Sequence, residues 1–122
     1  MREPEELSDD QIAELRADLV ELTGSLTAAL AMGAESSKTV ALDQTAVGRV
    51  SRMAAMQVQE MAKANLRSTR IRLEMVEHAL RLAEDGDYGY CRRCEEPVGF
   101  RRLKARPETP FCLACQGALE AR

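Results

Sequence analysis

The sequence predicts a mainly α protein, an antiparallel coiled-coil helical hairpin followed by a compact four-cysteine module and a short terminal helix. Three observations carry that expectation. Apolar residues recur at heptad spacing in two runs, and a Gly/Ser/Thr-rich stretch divides them. All four cysteines lie in the last quarter of the chain, as two Cys-x2-Cys pairs seventeen residues apart.

The first helix declares its start. Ser8 precedes Gln11 at the spacing of a capping box, and Leu7 and Ile12 flank it as a hydrophobic staple. Ile12, Leu15, Leu19, Leu22, Leu26 and Ala29 then follow at steps of three and four, a stripe that needs a second helix against it. The pattern lapses over Gly33 to Val40, so the first helix is expected over about 8–31 and a hairpin tip over 33–42. Asp43 is placed to cap a second helix over about 43–85. Leu66, Thr69, Leu73, Val76, Leu80 and Ala83 form its later seam, preceded by Val47, Val50, Ala54 and Val58 with a register slip near Met61 and Ala62. At ~1.5 Å per residue these helices span roughly 36 and 63 Å, which leaves the stretch from Leu73 to Ala83 to the cysteine module or to a partner. Met53, Met56, Met61 and Met75 read as flexible packing residues, and His78 as an ordinary helix residue.

Gly86 and Gly89 end the helical hairpin, residues 1–86, and open the module, residues 87–122, whose segment from Cys112 to Ala121 reads as a short helix. Cys91, Cys94, Cys112 and Cys115 place two sulfurs on each of two knuckles and can close a tetrahedral shell around one Zn(II) per chain. Backbone amides in each knuckle can donate to the thiolates. A shell of four sulfurs leaves no open position for catalysis, so the zinc is read as structural. A redox pair, an iron centre and two disulfides are the alternatives. Val98, Phe100 and Leu103 are few for a core, so the metal is expected to contribute much of the module's folding free energy.

Composition narrows the function. The 122 residues are 45% hydrophobic but contain two Phe, two Tyr and no Trp, which argues against a large enzyme with a deep aromatic pocket. No Ser/His/Asp arrangement or phosphate-cradling glycine loop is evident, so no enzyme is expected. No apolar run approaches the roughly 18 residues of a membrane span, and the acidic start lacks the order of a signal peptide. A cytoplasmic protein without a membrane partner is expected. The net charge of −3 hides a gradient: residues 1–45 carry 3 Lys/Arg against 10 Asp/Glu, whereas residues 91–122 carry 7 against 4. Arg92, Arg93, Arg101, Arg102, Lys104 and Arg106 crowd the module and suit carboxylates on a protein or nucleic-acid phosphates. The acidic total, the lack of stacking aromatics and the lack of a recognition helix weigh against DNA as the main partner. Arg67, Arg70 and Arg72 on the second helix offer a further docking face, with Arg67 and Arg70 the partner-binding candidates, or else its solvated side.

The segment Tyr88-Gly89-Tyr90-Cys91, then Val98-Gly99, Arg102-Leu103, Ala105-Arg106-Pro107 and Cys112-x2-Cys115, resembles the zinc module of the DksA/TraR family of bacterial transcription regulators. The resemblance implies a four-cysteine zinc finger at the base of the hairpin. It also implies a non-enzymatic regulator that enters the secondary channel of RNA polymerase and brings an acidic tip near the catalytic centre. The tip carboxylates in this chain are Glu35 and Asp43. Where the family's best-known tip carries two aspartates, this chain has Asp43 followed by Ala46, with Gly48 in the next alanine's place. Of the family's basic positions for guanosine tetraphosphate, Arg106 is retained, whereas Met75 and Gln116 occupy the other two, so the resemblance does not carry alarmone dependence to this chain. A monomer is favoured. The competing readings are a zinc adaptor that pairs through the seam from Leu66 to Ala83, and nucleic-acid binding by the basic module.

Overall fold

The structure, a computed structural model, describes residues 5–43 and 49–121, with side chains described for 5–34 and 52–121. Among the described residues four helices occur in order: α1 (Asp9–Asp43), α2 (Arg49–Asp85), α3 (Phe100–Ala105) and α4 (Leu113–Glu120). The two long helices pack antiparallel, as the heptad stripes require. No helix among the described residues is long and apolar enough to cross a membrane.

The capping box forms as expected. Ser8 N donates to Gln11 Oε1 at 3.0 Å, and Gln11 N donates to Ser8 Oγ at 3.1 Å, which satisfies donors that a helix start leaves free. From this cap α1 runs without interruption through the stretch expected to form the tip, so the boundary at 31 and the tip at 33–42 are corrected. Asp43 is the last residue of α1 and does not cap α2, while Ala46 and Gly48 lie outside the described residues. The physical reason is that residues 33–43 contain poor helix formers but no proline. Gly33, the strongest breaker there, costs only about 1 kcal/mol relative to alanine. It also has a packing role: a Cβ at this position would lie 2.5 Å from Leu66 Cδ2.

Two compact units share these helices, one of Met1–Thr23 with Glu74–Arg122 and one of Gly24–Leu73. In the second, the contact of Gly33 with Leu66 sets α1 against α2. Ala55, Gln59, Ala62, Leu66, Thr69 and Leu73 are half-buried, while most residues between them are exposed. These positions step by four and three throughout. No slip occurs at Met61 and Ala62, because the seam runs through Ala55 and Gln59 rather than the exposed Ala54 and Val58. Met53, Met56 and Met61 are likewise exposed and do not fill packing gaps, and Met75 alone of that group is half-buried.

In the first unit, Leu15, Leu19, Val76 and Leu103 are essentially inaccessible, and Ala79, Tyr88 and Val98 are buried with them. Arg16 Nη2 meets Glu84 Oε1 at 3.7 Å across α1 and α2 at this end, an exposed pair consistent with their antiparallel register. The stretch from Leu73 to Ala83 is not left open: Val76 and Ala79 are buried, and Leu73, Leu80 and Ala83 are half-buried. The cysteine module shares this unit's core, so Val98 and Leu103 belong to a larger apolar cluster than the module could build alone.

Gly33 and Gly24 separate the two roles a helical glycine can have, since nothing lies within 4 Å of a Cβ at Gly24. Gly24→Ala should raise stability by up to about 1 kcal/mol through helix propensity. Gly33→Leu should lower it by about 1–3 kcal/mol by displacing Leu66. Urea unfolding followed by circular dichroism reads both.

Candidate metal centre

Each knuckle has its own local device. In the first, Cys91 N donates to Glu96 O at 2.8 Å, and Glu95 N returns to Cys91 O at 2.9 Å. The turn is closed by Glu95 in a left-handed conformation, φ 64°, and by an antiparallel bridge between Tyr90 and Pro97. The second knuckle is the start of α4. Cys112 is the N-cap, and its sulfur accepts from Cys115 N at 3.4 Å. Arg93 N donates to Cys91 Sγ at the same distance. The expected amide-to-sulfur contacts are thus present in both knuckles.

The ligand atoms of Cys91, Cys94, Cys112 and Cys115 all lie within 4.8 Å of one another. A tetrahedral thiolate shell with metal–sulfur bonds of about 2.3 Å places sulfurs roughly 3.8 Å apart. Cys94 Sγ and Cys112 Sγ are 3.8 Å apart. The donor set therefore fits a single metal ion. His78, on α2, is not part of this cluster.

Electrostatics point the same way. Burial opposes ionisation of Cys91, but donation from the backbone amides of Cys94, Cys112 and Arg93 outweighs it and brings its pKa to about 6. Cys115 is pushed up to about 12, first by its contact with Cys112 and then by desolvation and the other sulfurs. Cys94 also lies above the ordinary thiol value: the Glu96 amide favours its thiolate, but desolvation and the neighbouring sulfurs together prevail. Cys91 takes negative charge readily, whereas Cys94 and Cys115 resist it. A cation at the centre is the chemistry that lets all four ionise together.

The segment between the knuckles is held by a polar frame. Arg92 N donates to Pro110 O at 2.8 Å, joining the first knuckle to the approach of the second. Arg102 Nε donates to Phe111 O at 3.0 Å, and its Nη2 lies 3.4 Å from Thr109 Oγ1. Tyr88 Oη donates to Pro107 O at 2.8 Å, and burial, Glu108 and Asp18 raise its pKa. Glu108 has a fully buried side chain and accepts from Arg106 Nε at 3.3 Å.

The module is also fastened to α1. Lys104 Nζ reaches Asp18 Oδ2 at 2.8 Å and Glu14 Oε2 at 3.7 Å. Tyr90 Oη donates to Glu6 Oε1 at 3.1 Å, and Leu7 packs so closely over Gly89 that a Cβ there would lie 2.9 Å from Leu7 Cδ1. Gly89 has φ 103°, so a side chain at this position would be strained by conformation as well as by contact.

The six basic residues of the module thus divide into two sets. Arg102, Lys104 and Arg106 hold internal contacts. The exposed side chains of Arg92, Arg93 and Arg101 make no hydrogen bond or ion pair among the described residues, and the same holds for Arg67 and Arg70 on α2. Sequence reasoning treated the six alike because side-chain direction is set by distant partners such as Phe111 O and Asp18. Glu35 and Asp43 both lie in α1, eight residues apart, which is roughly 12 Å along the axis. The roles of Glu108 and Thr109 were missed, and only their place between two prolines before Cys112 hinted at them.

A family model described as a prokaryotic dksA/traR C4-type zinc finger matches residues 86–121. The RNA polymerase-binding transcription factor DksA of Haemophilus influenzae is 34% identical over 92 residues, covering 72% of this chain and 63% of that protein. Residues 86–121 are a DksA/TraR-type zinc finger. The DksA of Escherichia coli K12 is 40% identical over 50 residues, or 41% of this chain. The match spans only about a third, 33%, of that relative's length. The structure of transcription factor DksA2 from Pseudomonas aeruginosa superposes with a TM-score of 0.79 at 22% identity, covering 94% of this chain and 87% of that one, which shows that the DksA/TraR fold extends over the helices as well as the finger.

Two outcomes follow for this finger. Cys91→Ser should abolish stoichiometric metal in mass spectrometry under native conditions and cost more than about 3 kcal/mol in thermal unfolding. Arg106→Ala removes a partner of a buried carboxylate and should cost about 1–3 kcal/mol with the metal retained.

Proposed function

We propose that this chain is a non-enzymatic, cytoplasmic transcription regulator that holds one structural zinc ion and binds RNA polymerase, entering its secondary channel with the α1–α2 hairpin. The observation that carries this reading is the family's four-cysteine finger on the same chain as two long antiparallel helices. The relatives with the matching finger are RNA polymerase-binding transcription factors. Four closely spaced thiols suit Zn(II), which has no redox chemistry and accepts a closed tetrahedral sulfur shell.

On this reading Asp43, at the end of α1, is the carboxylate brought toward the catalytic centre, and Glu35 lies about two turns back along the helix. Arg67 and Arg70 on α2 and Arg92, Arg93 and Arg101 on the finger are the polymerase contacts, since no carboxylate among the described residues pairs with them. Arg102 and Lys104 serve that contact indirectly, by shaping the finger and fastening it to α1.

Arg106 is committed to the buried Glu108, and Met75 and Gln116 bring no charge, so regulation through this surface is proposed to be independent of guanosine tetraphosphate. The adaptor reading has less behind it, because Leu66, Thr69, Leu73, Val76, Leu80 and Ala83, the seam it would use, are half-buried or buried within the chain itself.

Purified core polymerase should bind the full chain in fluorescence anisotropy at low salt. Asp43→Ala should leave that affinity within about 3-fold, less than 1 kcal/mol, while changing the lifetime of promoter complexes. Absence of polymerase binding at low salt would sink the proposal.

A further inference from the structure

The metal cluster brings together two exposed tips that are remote in sequence. Arg92 and Arg93 lie between Cys91 and Cys94, and Leu113 and Ala114 lie between Cys112 and Cys115. All four intervening residues are exposed, and Leu113 is the most exposed of the finger's large apolar side chains, at 70%. Because the four sulfurs lie within 4.8 Å of one another, and no tip residue is more than two residues from a sulfur, the tips stand within roughly 15 Å. A single exposed leucine is ordinary on a protein surface. Here it is held beside two arginines that make no hydrogen bond or ion pair among the described residues, in a chain whose net charge is −3.

We propose that the paired tips form a docking surface for an acidic polypeptide surface with an apolar notch, in which Leu113 fills the notch and Arg92 and Arg93 meet its carboxylate rim. The charge argument selects the partner's sign. Lys104, Arg106 and Arg16 have found carboxylates within the chain, and Arg92 and Arg93 have none among the described residues. The leucine selects a polypeptide over nucleic acid, since phosphates make no use of an aliphatic side chain and the tips carry no aromatic residue for stacking. Apolar anchors ringed by arginine are the pattern of protein interfaces. The patch also exists only while the metal holds both knuckles, so docking depends on the metal even though no ligand cysteine touches the partner.

This inference rests on the polymerase reading, and the experiment separates the two. Core polymerase is titrated with the metal-loaded full chain, with Leu113→Asp, with the milder Leu113→Ser, with Arg92→Glu, with Arg93→Glu, with Arg92→Glu/Arg93→Glu, and with Arg81→Glu as a control on α2 whose charge change equals that of each single arginine variant. Metal content is measured for each. Both leucine variants and the arginine pair should weaken binding at least about 10-fold, the size of one hot-spot side chain, and Arg81→Glu should not. No binding by the parent chain overturns the polymerase reading and this surface with it. Parent binding that all tip variants match overturns the docking surface alone. Weakening by the arginine pair without the leucine variants, together with a parallel loss of duplex DNA affinity, identifies a phosphate-binding surface and overturns the polypeptide partner.

Discussion

Four thiols gathered within one ion's coordination sphere are the constraint on which the C-terminal half depends. They join two knuckles that neither sequence proximity nor a continuous sheet would bring together, and the backbone around them is shaped to present sulfur. Amide donation, a left-handed residue at Glu95 and the cap of α4 all serve that presentation. The apolar core beneath is shared with α1 and α2, so the finger is not a separate bead. It is held to α1 by Lys104 against Asp18 and Glu14, and to the segment preceding α1 by Leu7 over Gly89.

The division of the basic residues shows how a charged cluster can be both scaffold and surface. A guanidinium carries several donors in a rigid plane, so Arg102 can brace the carbonyl of Phe111 and the hydroxyl of Thr109 together. Arg101, next to it on a short helix, points to solvent and makes no such contact. Arg106 likewise has one nitrogen, Nε, against a carboxylate of its own module. Its neighbour Glu108 has lost its hydration to burial and needs the charge locally.

Much of this architecture could be read in the sequence because its signals are local. Ser8 and Gln11 cap α1 by a spacing that depends on nothing else, and the cysteine spacing alone defines the knuckles. Leu15 and Leu19 are buried as their periodicity demands. The failures occurred where a residue's meaning lies on the other helix. Gly33 looks like a breaker until Leu66 is placed against it. Ala55 and Gln59 look unlike seam residues beside Ala54 and Val58, because hydrophobicity ranks valine above them, whereas the unbroken alternation of four and three assigns them inward. Exposed methionines on α2 likewise carry an apolar character that says nothing of direction.

The unit that holds the cysteines is assembled from the first 23 residues and from those after position 73, with the intervening helices forming a unit of their own. A nascent chain emerging from the ribosome therefore exposes Leu15 and Leu19 long before Val76, Tyr88 and Leu103 have been synthesised to cover them. The middle segment can pair locally while the ends wait. Closure of the ends is a late, non-local event of the kind that slows folding, and uptake of the ion comes after the last cysteine has been added.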